Sequence, residues 1–327
     1  MIISRTPLRI SLGGGGTDLP SYYRAAGGGF LVAAAISRHV YVAVNRNFDD
    51  DVLLKYSQIE RVLTAGDVRH PLLREALRMT GTERRVEISS MADIPANTGL
   101  GSSGSFTVGV LKALHAHERH LVSNRELAEQ ACRIEIDVLG EPVGKQDQFI
   151  AAIGGVTAFE FRADDSVEVC PVAMSDATRW RLEENLLLFY TGMRRSASEI
   201  LVDQDQKSRS SDASTMGNLD ETRRIGRESY QALLGGDLGR FAAFMTEQWE
   251  LKRSRSPSAT NAEIDAWITR GLEAGAAGGK LVGAGGGGFL LFYSESKAEL
   301  RDAMAEIGLP EVRFTFDFEG TKLVVAR

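Results

Sequence analysis

Only two cysteines, Cys132 and Cys170, occur in 327 residues. They stand far apart with no metal-ligand spacing. That excludes a disulfide-stapled scaffold and a cysteine zinc site, and two buried thiols in a reducing compartment are expected. Histidine is sparse too, with five in the chain (His39, His70, His115, His117 and His120). Their spacing builds no triad and no metal cluster, and the last three fall near one helix end, a solvated position. Positive charge is not in excess. The formal net charge of -6 argues against nucleic-acid and membrane-surface partners, while leaving room for a local basic pocket that takes phosphates. Long apolar runs are missing: Phe30–Ile36 and Leu186–Tyr190 are far too short to span a bilayer. The opening MIISRTPLRISL has arginines where a signal peptide needs an apolar run, so a cytoplasmic protein is expected. Two catalytic patterns are also absent. Gly279-Lys280 is followed by Leu281 and lacks the leading glycine of G-x-x-x-x-G-K-[ST], which excludes an ordinary P-loop NTPase. No G-x-S-x-G nucleophile elbow occurs. Nothing in the spacing specifies an oligomer.

Hydrophobic residues make up 43% and charged residues 25% of the chain, ordinary for a globular protein of one large or two smaller domains. β-Branched and aromatic runs predict strands at Ile2–Leu12, Phe30–Asn45, Val86–Ser90, Val156–Phe161, Val167–Val172, Asn185–Thr191 and Phe289–Tyr293. Helical spacing predicts helices over 106–116, 127–139, 219–234, 237–253, 261–274 and 296–307. Asp203–Asn218 is polar and reads as a loop or an exposed helix start. A terminal hairpin through Glu319-Gly320 is expected, with a domain boundary near 175–185.

Glycine is what the chain has in quantity, 34 residues, and much of it falls in three loops. The first is Gly13-Gly14-Gly15-Gly16-Thr17-Asp18. The second, Gly99-Leu100-Gly101-Ser102-Ser103-Gly104, and the third, Gly283 through Gly288, both fit the dinucleotide pattern G-x-G-x-x-G. That reading requires a strand, the loop and a helix in direct succession, with an acidic residue about 20 positions on. The second loop is separated from its strand by Pro95 and Asn97, and about 20 positions on lies a helix start. The third reads as helix, loop, strand, the wrong order. A phosphate at the N-terminus of the helix after the second loop fits better, because free N–H groups and the dipole favour an anion there. Glycine lets the backbone approach it. Ser102 and Ser103 can cap that helix, and a hydroxyl there can also ligate Mg²⁺.

Four segments in this order resemble the GHMP kinases: Pro7-Leu8-Arg9-Ile10-Ser11-Leu12-Gly13 through Asp18, Pro95 through Gly104, Gly140 through Gln148, and Lys280 through Gly288. Together they span nearly the whole chain. PLRISLGGGGTDLP is most similar to the D-glycero-D-manno-heptose 7-phosphate kinase branch, whose relatives include fucokinase-like and cyclitol kinases. The chain departs from galactokinase, which has an acid–histidine pair where Gly15-Gly16 stand, so galactose is disfavoured. It departs from many relatives at Gly104, where they carry alanine, a change expected to be tolerated. The resemblance implies an α+β fold in two domains, an N-terminal one over 1–180 like the second domain of ribosomal protein S5 and a ferredoxin-like C-terminal one over 181–327. ATP and a sugar or sugar phosphate would meet between them.

By the same resemblance Asp147 is the catalytic base and Arg9 orients it or stabilises charge on the transferring group. Pro95, Gly99, Leu100, Gly101, Ser102, Ser103 and Gly104 form the nucleotide loop. Ser103 and Glu135 ligate Mg²⁺, with Asp137 the competing acid. Gly15, Gly16, Thr17 and Asp18 bind the sugar, joined by Lys145, Gln148 and the glycines Gly285, Gly286 and Gly287. Arg195 and Lys252 are expected to hold a phosphate on the acceptor, arginine by a bidentate and lysine by a point contact. The implied reaction is phosphoryl transfer from ATP, best fitted to the anomeric hydroxyl of heptose 7-phosphate. A fucokinase-like or cyclitol kinase is the alternative. Asp147, Glu135 and Ser103 standing together speak against a non-catalytic ligand-binding member of the family.

Overall fold

The computed structural model describes residues 1–194 and 198–326. Eleven strands and eleven helices run through them in the order β1 (Ile2–Gly13), α1 (Pro20–Tyr23), β2 (Gly29–Arg46), β3 (Val52–Lys55), β4 (Ile59–Val62), α2 (Pro71–Thr80), β5 (Val86–Ala92) and α3 (Ser102–His117). Next come α4 (Asn124–Cys132), α5 (Gln146–Ile153), β6 (Val156–Phe161), β7 (Val167–Pro171), α6 (Asp176–Asn185), β8 (Leu186–Tyr190) and α7 (Ser198–Arg209). The chain closes with α8 (Ala213–Gly235), α9 (Leu238–Arg255), α10 (Ala262–Glu273), β9 (Gly278–Leu281), β10 (Phe289–Tyr293), α11 (Lys297–Glu306) and β11 (Lys322–Ala326).

An eight-stranded sheet has the order β11-β1-β2-β5-β3-β4, with β6 on β2 and β7 on β6. Its spine is β2. The first half pairs with β6 and the second with β5, while β1 runs along the other edge throughout. Being enclosed, β2 is apolar on both faces from Phe30 to Ile36, the pattern of a strand covered on two sides. Helix α3 packs on β1 and β2, and Val108, Val110, Leu111, Ala113 and Leu114 are all buried. A helix apolar nearly all round is a core helix, which makes α3 a fixed support for the loop before it. The second sheet is small, β8-β10-β9, all antiparallel.

Several expectations are corrected. Of the two readings of Asp203–Asn218 the helical one holds and the loop falls: it is mostly helix, α7 and the start of α8, with Asp203–Lys207 and Asp205–Arg209 pairs at i,i+4. No hairpin forms at Glu319-Gly320. Instead β11 pairs antiparallel with β1, so the end of the chain joins the first sheet. The third glycine loop follows a strand, β9, rather than a helix, because buried Lys280 and Leu281 pair with β10. Both cysteines are free, but only Cys132 is buried; Cys170 is part-exposed. Among the described residues no helix is long and apolar enough to cross a membrane.

Candidate active site

The glycine loops and both sheets converge on one pocket of about 230 Å³. Its floor comes from β1, where Arg9 is 6% exposed. The Arg9 backbone N–H donates to Leu100 O at 3.0 Å, fastening the second loop to the sheet. The guanidinium meets Asp147 in a fork, Nε to Oδ1 at 2.7 Å and Nη2 to Oδ2 at 2.9 Å, and Nη1 donates to Gly99 O at 2.5 Å. A bidentate arginine–carboxylate pair fixes both planes. Gln146 Nε2 adds a third bond to Asp147 Oδ1, 3.0 Å. Asp147 lies in the first turn of α5, where unpaired N–H groups favour an anion, and its side chain stays 29% exposed toward the pocket.

Glu135 arrives differently. After α4 the chain widens into a π-helical turn, Arg133–Val138, a local irregularity that commonly re-aims one side chain at a functional site. Here the Glu135 carboxylate points inward and is 2% exposed. It accepts from Ser103 Oγ at 2.9 Å and Gln148 Nε2 at 3.1 Å. Burial pushes it up to about 7, against the pull of those hydrogen bonds. A buried carboxylate raised by desolvation is one that a cation would pull back to the charged form. With the hydroxyl of Ser103, which lines the pocket, it offers hard oxygen donors of the kind Mg²⁺ takes. Asp137 is exposed and faces a different hollow.

No side chain caps α3, whose N-cap is Gly101. Ser102 and Ser103 therefore do not cap; they line the pocket together with Gly99 and Gly101, and the first-turn N–H groups are left for a ligand. Pro95 and Leu100 act behind the loop, Pro95 O accepting from Thr98 Oγ1 at 3.0 Å and Leu100 being fully buried. Gly104 packs directly against the segment that carries Asp147. A Cβ there would sit 2.8 Å from Asp147 Cβ and 3.0 Å from Gln148 N. An alanine there would press on the helix that carries the base.

On the opposite wall Gly15, Gly16 and Asp18 line the pocket. Asp18 accepts from Gly16 N at 3.1 Å and Gln146 N at 3.0 Å. Burial raises its carboxyl above the usual range, with neighbouring Asp147 adding to the rise. Thr17 does not face the pocket: its hydroxyl donates to Gly14 O and Phe30 O, both at 2.9 Å, and shapes the turn. Lys145 is also turned away, donating to Asp165 O at 2.8 Å and lying over the Tyr23 ring. Gln148 is buried behind Glu135 and positions it. Gly285, Gly286 and Gly287 pack on Ala259 and Met193, while Gly283 and Ala284 line the pocket in their place. Lys252 does reach the pocket, donating to Leu281 O at 3.4 Å and to Gly283 O. Arg195 lies outside the described residues.

Sequence reasoning missed Gln204, Gln248, Arg255 and Lys280, all of which line the pocket. Gln248, Lys252 and Arg255 are spaced four and three apart on α9, one helix face. That periodicity was the available signal, and adjacency in Leu251-Lys252-Arg253 obscured it. Lys280 is buried in β9, with Nζ donating to Leu12 O at 2.9 Å and Gln248 Oε1 at 2.8 Å. Desolvation, reinforced by Arg9, pushes its ammonium down to about 7.

A fork-held carboxylate, a buried acid bonded to a pocket-lining hydroxyl, and an uncapped helix start are the parts of a phosphotransferase. The chain belongs to the GHMP kinase superfamily, as the model of the GHMP kinases N terminal domain matches residues 70–155 and that of the GHMP kinases C terminal matches 229–308. It is an ATP-dependent phosphotransferase with an alcohol group as acceptor, in the mixed α+β fold of that superfamily. Among named relatives it is 27% identical over 335 residues, 98% of each chain, to D-glycero-alpha-D-manno-heptose 7-phosphate kinase of Campylobacter jejuni. It is 25% identical to L-fucokinase/L-fucose-1-P guanylyltransferase of Bacteroides fragilis, over 90% of this chain but 35% of that one. A crystal structure of a D-glycero-D-manno-heptose 1-phosphate kinase from Bacteriodes thetaiotaomicron superposes with a TM-score of 0.83 at 25% identity, covering 100% of both chains.

Proposed function

We propose that the protein transfers the γ-phosphoryl group of ATP, with Mg²⁺, to the anomeric hydroxyl of a sugar phosphate, D-glycero-D-manno-heptose 7-phosphate, giving the 1,7-bisphosphate. The observation that carries the reaction is the Arg9–Asp147 fork facing the pocket. The acceptor oxygen attacks the γ-phosphorus, the bond to the ADP oxygen breaks, and the hydroxyl proton passes to a carboxylate oxygen of Asp147. Arg9 keeps that carboxylate aimed and stands beside the charge that develops on the transferring group. Ser103 and Glu135 would hold Mg²⁺, which supplies charge neutralisation for the phosphates. Asp18, held by two backbone N–H groups, accepts from acceptor hydroxyls. A reaction drawing on ATP suits the cytoplasm.

Heptose phosphate as acceptor is supported by the names of two relatives matched over nearly their whole length. A fucokinase-like reading draws on the fucokinase relatives, of which this chain spans 24% and 35%. The test is ADP release with a panel of free sugars and sugar phosphates. The proposal expects heptose 7-phosphate to exceed every free sugar in kcat/KM. A preference for free L-fucose would replace it with the fucokinase reading.

A further inference from the structure

The pocket is charged unevenly. Besides Arg9, three cations line it, and among the described residues none of them pairs with a carboxylate: Lys280, Lys252 and Arg255. Lys280 is 4% exposed and the other two are part-buried. Unpaired cations out of water are costly, so a site that keeps three is built for an anion. Elsewhere in the chain arginines are matched freely with acids, as Arg301 is with Glu311 and Arg24 with Asp165.

Arg255 is the most specialised of the three. Its Nη1 donates to two neutral acceptors on α8, Asn218 Oδ1 at 2.6 Å and Thr222 Oγ1 at 3.2 Å. These set the plane of the guanidinium without neutralising it. Its Nε is buried without a partner. Its Nη2 lies beside the first glycine loop, where a Cβ on Gly16 would be 3.3 Å away. Gln204 Nε2 donates to Gly16 O at 3.0 Å from the same side. Gly16 and Asp18 belong to the acceptor wall, whereas the triphosphate end of the pocket is the start of α3 with Ser103 and Glu135. Lys252 feels both ends, its ammonium pushed down by burial first and then by Arg255, Lys280 and Arg9. Positive charge thus runs from the catalytic pair to the Gly16 wall.

We infer that Arg255, with Lys252 beside it, is the specificity-determining site for a phosphate monoester already present on the acceptor. The bidentate geometry of a guanidinium suits such a group, and the glycine at position 16 leaves the space next to Nη2 open. This assignment rests on the kinase reading above and adds to it the residue that distinguishes a sugar phosphate from a free sugar.

The experiment compares wild type with Arg255→Gln, and with Arg240→Gln, an exposed arginine of α9 paired with Glu228, as control. With the triphosphate site filled by a non-hydrolysable ATP analogue and Mg²⁺, inorganic phosphate should raise the Tm of wild type and the control but not of Arg255→Gln. In kinetics, Arg255→Gln should lose about 10- to 100-fold in kcat/KM on the sugar phosphate, the worth of a charge-assisted hydrogen bond, and under about threefold on the free sugar. Arg255→Lys should recover part of the loss. If Arg255→Gln does not fold, Asn218→Ala, which frees the guanidinium from its 2.6 Å acceptor, should weaken the phosphate shift in the same direction. An unchanged phosphate shift in Arg255→Gln, or equal losses on both sugars, overturns the assignment. A wild type that prefers free sugars overturns it as well, whereas one that prefers a different sugar phosphate, with the Arg255-dependent phosphate shift kept, refutes the acceptor named above and leaves the assignment standing.

Discussion

At the residue scale the chemistry turns on Asp147. Its carboxylate is held at both oxygens by Arg9 and again by Gln146, so it has one orientation from which to take a proton. Asp147→Asn keeps the volume and loses the basic oxygen. Turnover should fall by about 10²–10⁴-fold, the usual worth of a positioned base, while the affinity for ATP, measured by calorimetry, stays within about threefold. Activity near that of wild type would remove Asp147 from the reaction. Arg9, Asp147 and Ser103 were legible in sequence through family motifs and Glu135 through the wider resemblance, and the structure joins them pair by pair. Thr17 and Lys145 were misread because a motif marks a segment and not a side-chain direction. Within one loop Asp18 turns to the pocket and Thr17 into the turn, a choice made by the carbonyls of Gly14 and Phe30.

At the element scale, long apolar strands were easier to read than short elements of either kind, since β3, β4 and β9, of 4 residues each, had no counterpart in the sequence reading. Val156–Phe161 and Phe289–Tyr293 match their expected limits, because dense apolar runs bounded by turn residues leave little choice. Helix α5 was missed although it bears the base. It has 8 residues, too few to display a period, and follows a stretch rich in glycine and proline. The pairing of β11 with β1 links residues more than 300 positions apart, and no local pattern encodes such a partner. The packing of α3 against α5 yields a prediction of its own. Gly104→Ala places a methyl 2.8 Å from Asp147 Cβ. With the backbone of Asp147 and Gln148 at 3.0 Å behind it, a contact that close has to open, and misplacing a base by a fraction of an ångström is costly. Expected are a kcat lower by about 10-fold or more and a KM for ATP within about twofold of wild type, both from steady-state kinetics. A kcat equal to that of wild type would mean that α5 gives way without moving the carboxylate.

At the scale of the whole molecule the two sheets divide the work. The large sheet and its helices supply Arg9, Asp18, Ser103, Glu135 and Asp147, and α9 with β9 supplies Lys252, Arg255 and Lys280. The long-range tie of β11 to β1 closes the chain back on the large sheet. The molecule therefore sets an acid-bearing, metal-suited side against a basic one, with the acceptor hydroxyl expected between them. The measurement that tests this account most directly is ³¹P NMR of the product formed from ATP and heptose 7-phosphate. The account predicts ADP together with a bisphosphate whose new signal couples to the anomeric proton while the 7-phosphate signal is retained. A new phosphate at any other carbon, or ATP hydrolysed with the sugar unchanged, would contradict it.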